Sequence, residues 1–295
     1  MKRILKLFAI LLGALLALIL ASVAAIYAVS GSRMNRIYDV PAAAIAIPDG
    51  AEAIAYGEHV AAIRACNGCH GPDLGGAPLI EEPMLGTIYT ANLTAGDGGV
   101  LDHYSDAQLA RAIRQGIGHD GKPLLVMPAQ EFRVLSDEDL GALIAYLRAQ
   151  PGVDRRLPQN RVGPMGRLLY LTGQLPLLPA ELIDHDAPPP LPPPRAVTAE
   201  YGAYLAVVCQ GCHGPDYAGG RVPGSGPDAV PAANLTPGGE LAAWNEADFI
   251  SAIRTGITPS GRRLDEAMPW QQFANMSDEE LRAVWLYLRN LPPQQ

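Results

Sequence analysis

The sequence predicts an all-α protein in which two copies of one helical domain follow an N-terminal transmembrane helix. Three observations lead there: a charge-free N-terminal run, an internal repeat at a spacing near 140 residues, and helical apolar spacing behind good N-caps in both copies. Composition agrees. Apolar residues make up 48% of the 295 residues and aromatics 6%, while Gly (31) and Pro (27) abound. That mix suits short helices joined by many loops rather than a large sheet.

Lys2, Arg3 and Lys6 precede a run from Leu7 to Val29 without a charged residue. A helix needs roughly 20 apolar residues to cross the hydrocarbon core, whereas the apolar part of a cleavable signal is about 7–15. We read residues 1–30 as an uncleaved anchor. The alternative is a long signal cut near Ser22-Val23-Ala24. Either way the basic end stays in the cytoplasm and the remainder is exported, placing the protein at the cytoplasmic membrane with its body facing the periplasm.

The repeat sets the domain limits. Cys66-Asn67-Gly68-Cys69-His70-Gly71-Pro72-Asp73 returns as Cys209-Gln210-Gly211-Cys212-His213-Gly214-Pro215-Asp216. Ala91-Asn92-Leu93-Thr94 returns as Ala233-Asn234-Leu235-Thr236, and Met127-Pro128 as Met268-Pro269. Ala112-Ile113-Arg114 and Ser136 to Leu140 recur as Ala252-Ile253-Arg254 and Ser277 to Leu281. Two copies at this period mean a duplicated domain, not a solenoid of 20–50-residue units. The expected order is a linker at 31–50, a first domain at 51–151, a Pro-rich linker at 152–195 and a second domain at 196–293. The second linker ends in a proline run, Pro188 to Pro194, which favours a semi-rigid extended spacer. Its earlier part, Arg161 to Leu178, is apolar enough to lie against a domain or the membrane surface.

Helix punctuation matches in the two copies. Ser136 with Asp139 approximates a capping box, followed by Leu140, Leu143, Ile144 and Leu147 on one face. Ser277 with Glu280 precedes Leu281, Val284, Trp285 and Leu288 in the same way. A middle helix runs from Ser105 to Gly116, and its partner from Asn245 to Gly256; glycine suits a left-handed C-terminal cap. Gly57 and Gly202, in the helices leading to the cysteines, have two readings: a close helix crossing, or ordinary tolerance of glycine.

All four cysteines lie in C-x-x-C-H motifs, the spacing of c-type haem attachment. Two thiols on one turn can each join a vinyl group, and the next histidine is then held at the iron. Zinc would want a matching further ligand in each copy, and a redox C-x-x-C needs no adjacent histidine. Cys66, Cys69 and His70 would hold one haem c, and Cys209, Cys212 and His213 a second. A sixth ligand is needed for each iron. The six histidines are His59, His70, His103, His119, His185 and His213, so none follows His213. Met268 and Met276 are then the candidates for the second iron, and only Met268 has a Met-Pro counterpart in the first copy. We assign Met127 to the first iron and Met268 to the second, with His103 and His119 as competitors at the first. A lone Met is ordinarily a core filler; matched position is what argues otherwise here.

The order of these motifs resembles the class I cytochrome c superfamily, over residues 54–149 and 199–291. It looks most like the cytochrome subunits of membrane-bound bacterial alcohol and sugar-acid dehydrogenases, which usually carry three haem domains where this chain has two. The resemblance implies two tandem all-α cytochrome c domains, with helices wrapped around each haem. Asn92, Asn234, Arg114 and Arg254 would then either bind haem propionates or serve local structure.

Methionine ligation favours ferrous iron and leaves no open position. The expected role is electron transfer rather than catalysis, from a dehydrogenase or quinol-oxidising donor to a cytochrome or oxidase acceptor. The rivals are a di-haem peroxidase, which needs one labile position, and a fixed haem subunit of a larger complex. Formal net charge is -8, about -8 over residues 49–150 and -5 over 196–295. That argues against a nucleic-acid partner and permits one with a basic docking patch.

Overall fold

The computed structural model describes residues 1–188, 190–226 and 228–295. Pro189, inside the proline run of the expected spacer, lies outside the described residues. Helix α1 (Lys2–Met34) is long and apolar enough to cross a membrane, and its side chains from Ile4 to Val29 are largely exposed.

In the first repeat, α2 (Ala51–Ile63) leads into the short α3 (Cys66–His70). Strands β1 (Pro78–Glu82) and β2 (Gly86–Tyr89) follow, then α4 (Asp106–Gln115), α5 (Ala129–Phe132) and α6 (Asp137–Ala149). The joining segment carries β3 (Arg161–Val162) and α7 (Pro164–Leu171). In the second repeat come α8 (Ala199–Ala206), α9 (Gln210–His213), α10 (Glu246–Thr255), α11 (Trp270–Phe273) and α12 (Asp278–Arg289).

The helix signals are realised. Ser105 Oγ accepts from Gln108 N while Gln108 Oε1 accepts from Ser105 N, a reciprocal cap repeated by Asn245 with Asp248 and by Ser277 with Glu280. Gly116 and Gly256 take the left-handed conformation at the ends of α4 and α10. Ser136 caps α6, but the Asp139 carboxylate turns elsewhere and leaves the box half made.

The glycines mark close crossings. A Cβ on Gly57 would lie 2.0 Å from Ala142 O, and one on Gly202 would lie 1.9 Å from Ala283 O. So α2 crosses α6, and α8 crosses α12, at a distance that only a missing side chain allows. Around these crossings sit two apolar cores. One gathers Val60, Leu109, Leu140, Leu143 and Ile144; the other Leu205, Phe249, Leu281, Val284 and Trp285.

The all-α expectation needs correcting to a mostly helical fold. Residues 78–89 form a hairpin, and β3 from the joining segment adds to it in the order β1-β2-β3. Thr87, Ile88 and Tyr89 favour extended backbone. Ile88 buries against Val162, Tyr170, Leu177 and Leu178, which make a third small core. In the second repeat the corresponding stretch keeps only a Gly220–Ala232 bridge among the described residues. The joining segment is therefore not a bare spacer: its Arg161–Leu178 part packs on the first repeat and on α1. There Arg33 pairs with Glu181 through two bonds of 2.8 and 2.5 Å, and Arg167 Nη1 donates to Ser30 Oγ at 2.7 Å.

The two repeats also meet directly. His59 Nε2 is 2.9 Å from Glu280 Oε1, and reciprocally the Tyr204 hydroxyl donates to Asp139. Asp139 also accepts from Tyr56 and Arg195.

Candidate functional site

Each C-x-x-C-H turn is shaped by the backbone that follows it. Gly71 and Gly214 have φ of 82° and 77°, and Leu74 and Tyr217, both fully buried, share φ of 56° and 60°. Left-handed geometry at a buried non-glycine residue is strained, so its recurrence at matched positions marks a built turn. The turns are closed by the same bonds: Gly76 N to His70 O and Gly219 N to His213 O, both 2.8 Å.

The histidines are held alike. His70 Nδ1 donates to Ala91 O at 2.8 Å, and His213 Nδ1 to Ala233 O at 2.7 Å. A ring bonded through Nδ1–H to a carbonyl presents a bare Nε2, the tautomer a metal takes up. Burial lowers both histidine pKa values, keeping the imidazoles neutral and ready to ligate.

The cysteines are four free thiols. Burial pushes Cys66 and Cys209 up to about 12, so they stay protonated and suit neither thiolate exchange nor zinc. Among the described residues no group of three or more His, Cys, Asp or Glu side chains gathers as a metal site. Free thiols in pairs, each pair beside a neutral imidazole with a bare Nε2, fit covalently attached haem.

Met127 is half-buried against the first core, and Met268 against the second. Val126, immediately before Met127, is a β-branched residue at φ 63°, which fixes the approach to Met127. Met276 is wholly inside the second core, at the position of the buried Leu135 of the first repeat, as a core filler would be. His103 and His119 are exposed, their rings 6.5 Å apart.

Two further pairs serve the fold. Asn92 Oδ1 accepts from Thr94 N and Oγ1 at 3.0 and 2.8 Å, and its Nδ2 donates to Val153 O. Asn234 does the same with Thr236 and Gln294 O. Arg114 donates to Leu135 O and pairs with Asp137, while Arg254 donates to Ala274 O and pairs with Asp278. These contacts support the structural reading of all four.

The charged groups between the two cysteine turns escaped the sequence. Glu131 on α5 lies against the second turn, where a Cβ on Gly211 would meet its Oε1 at 2.5 Å. Reciprocally, Gln272 on α11 lies 3.8 Å from where Gly68 would carry a Cβ. Glu131 is buried, and desolvation pushes its carboxyl up to about 8. Arg64, 3% exposed, donates through Nη1 to Tyr204 O and Leu205 O, while its Nε and Nη2 have no partner among the described residues. A buried cation and a buried acid thus sit at one junction. The only hint was spacing: Tyr56 precedes Cys66 by ten residues, and Tyr201 precedes Cys209 by eight. Arg64-Ala65 is the difference.

Both repeats have counterparts among known proteins. The family model described as cytochrome C oxidase, cbb3-type, subunit III matches twice, at residues 52–147 and 195–288. A nicotinate dehydrogenase polypeptide of Pseudomonas putida is 28% identical over 265 residues, covering 80% of this chain and 21% of that protein. The cytochrome c subunit of alcohol dehydrogenase (quinone) from Gluconacetobacter polyoxogenes is 27% identical over 281 residues, 83% of this chain and 58% of the relative. The fructose dehydrogenase cytochrome subunit of Gluconobacter japonicus is 26% identical over 266 residues, 81% and 52%. The chain thus spans about half the length of the two cytochrome subunits and about a fifth of the first relative. The two cytochrome subunits are of the class that the motifs resemble.

Proposed function

The chain belongs to the cytochrome C oxidase, cbb3-type, subunit III family, and we propose that it carries electrons through two covalently bound haem c groups, one in each repeat. The matched bonds from His70 to Ala91 O and from His213 to Ala233 O carry this reading. Cys66 and Cys69 would anchor the first haem with His70 below the iron and Met127 above. Cys209, Cys212, His213 and Met268 would do the same for the second. Residues 51–151 and 196–293 are then tandem cytochrome c domains joined by residues 152–195. When bound, each haem supplies a one-electron ferric/ferrous couple.

The side chains do the rest. Each Nδ1–carbonyl bond orients the imidazole and makes it a better donor. Each methionine sulfur favours the reduced state and closes the last position. The apolar cores exclude water, which keeps solvent reorganisation small. Helix α1 holds the body at the cytoplasmic membrane with its haem domains in the periplasm, since Lys2, Arg3 and Lys6 favour the inside. The donor would be a dehydrogenase or a quinol-oxidising complex, and the acceptor a cytochrome or oxidase. The dehydrogenase names of the relatives support such a donor.

Expression with an intact cytochrome-maturation system tests this. The expected product binds two haems per chain, both low-spin, and does not turn over peroxide. Met127→Ala and Met268→Ala should each abolish about half of the sulfur–iron absorption. Colourless protein, or a high-spin haem that reacts with peroxide, overturns the proposal.

A further inference from the structure

The largest cavity among the described residues is about 880 Å³ and lies where α1 meets the rest of the chain. It is within the roughly 300–1,000 Å³ of typical small-ligand sites. Its wall includes Tyr27 and Met34 of α1 together with Lys122, Arg161 and Arg167.

Depth is set by the helix. The charge-free run ends at Val29. A bilayer is about 30 Å of hydrocarbon within about 40–45 Å overall, so each headgroup layer is roughly 5–7 Å thick. At about 1.5 Å per residue, that layer covers the next four or five residues of α1 and reaches Arg33 and Met34. Tyr27 and Met34 therefore bracket the level at which lipid phosphates lie.

Charge is also selected. The first repeat is strongly acidic, yet this cavity has three cations against one carboxylate, Asp120. Asp120 lies 3.8 Å from Lys122, a loose pair. Arg161 is exposed and has no carboxylate partner among the described residues, while Arg167 is fixed by Val162 O and Ser30 Oγ. Leu124, Leu125 and Met34 supply apolar wall beside the cations. Polar donors at phosphate level beside an apolar flank match an amphiphile with an anionic head. The anchor cannot shift away from the site, because Arg33–Glu181 and Arg167–Ser30 clasp it.

The geometry points to a binding site for one anionic glycerophospholipid, its phosphate among Lys122, Arg161 and Arg167 and its acyl chains running down α1. A choline headgroup would bring its own cation into this cluster and be disfavoured. The site rests on the anchor being retained and is independent of how many haems the chain binds.

Native mass spectrometry of the full haem-loaded chain in mild detergent tests it, after incubation with phosphatidylglycerol or phosphatidylcholine. We expect one phosphatidylglycerol per chain, retained in preference to phosphatidylcholine. Lys122→Ala with Arg161→Ala should weaken that retention roughly thirtyfold, at about tenfold or less per surface charge removed. The double variant should keep the wild-type haem spectrum, since both side chains are on the surface. Equal retention of the two lipids, retention unchanged in the variant, or displacement by millimolar inorganic phosphate overturns the assignment. The intact mass in the same spectrum reports whether residues 1–30 remain, which separates loss of the anchor from failure of the site.

Discussion

His59 Nε2 lies 2.9 Å from Glu280 Oε1, joining side chains 221 positions apart in the sequence. The bond to Glu280 raises the His59 pKa. Burial works to raise Glu280, but the bonds from His59 and Ser277 outweigh it and hold the carboxyl below its ordinary range. A raised histidine stabilises fully below its unfolded value near 6.5, and the gain is lost as pH climbs through the folded value. A lowered carboxylate stabilises above its unfolded value near 4.3, and the gain is lost on acidification. The pair is therefore strongest between about pH 4.3 and 6.5. His59→Ala should cost on the order of 1 kcal/mol near pH 5.5, about 2–4 °C in Tm, and less at pH 9. Melting curves of both proteins at the two pH values check this; an equal loss at both would refute the linkage.

Glu131 acts in the opposite sense. Its carboxyl is pushed up to about 8 by burial against the second cysteine turn. The folded chain holds a proton that the unfolded chain releases near 4.3, so stability falls as pH rises through about 4–8. Gln272, its counterpart, is neutral at the matching contact with Gly68. Glu131→Gln should remove the penalty and add up to a few kcal/mol above pH 8, with little change at pH 4. Urea unfolding across that range reads the slope directly; a profile as steep as that of the wild type would disprove it.

The helix crossings set a third expectation. Gly57→Ala and Gly202→Ala each drive a methyl into a carbonyl that belongs to the facing helix. Overpacking of this kind costs about 1–3 kcal/mol and more where backbone must move. Each change should impair haem retention in its own repeat first. Gly13→Ala, with nothing within 4 Å, is the control and should be silent. Haem content per chain after mild heating is the measurement.

Asn92 is 1% exposed, and its amide is spent on Thr94 and Val153. Asn92→Ala should destabilise the first repeat by about 1–3 kcal/mol through unsatisfied buried groups. The reduction potential of the properly folded fraction should be unchanged. A potential shift without loss of stability would restore the propionate reading.

Much of this was legible beforehand because it is local. Ser277 with Glu280, Asn245 up to Gly256, and the paired cysteine turns each depend on residues a few positions apart. The crossing at Gly57 was one of two readings, and contact with Ala142 decided it. The rest depends on distant partners. Nothing near His59 announces Glu280, and nothing near Arg33 announces Glu181. The hairpin at 78–89 is completed by Arg161 and Val162, some seventy residues on, so its burial was invisible to a period-2 reading. Glu131 was missed because its burial comes from the other repeat.

The clasp between α1 and the joining segment has a mechanical corollary. With Arg33 fixed to Glu181 and Arg167 to Ser30, the body cannot swing on its stalk. It rides at one height and one heading, like a signal on a mast, so a partner must present its docking face at that level. One residue inserted into α1 would turn the whole head by about 100° and lift it about 1.5 Å, misaiming every encounter without touching either cysteine turn.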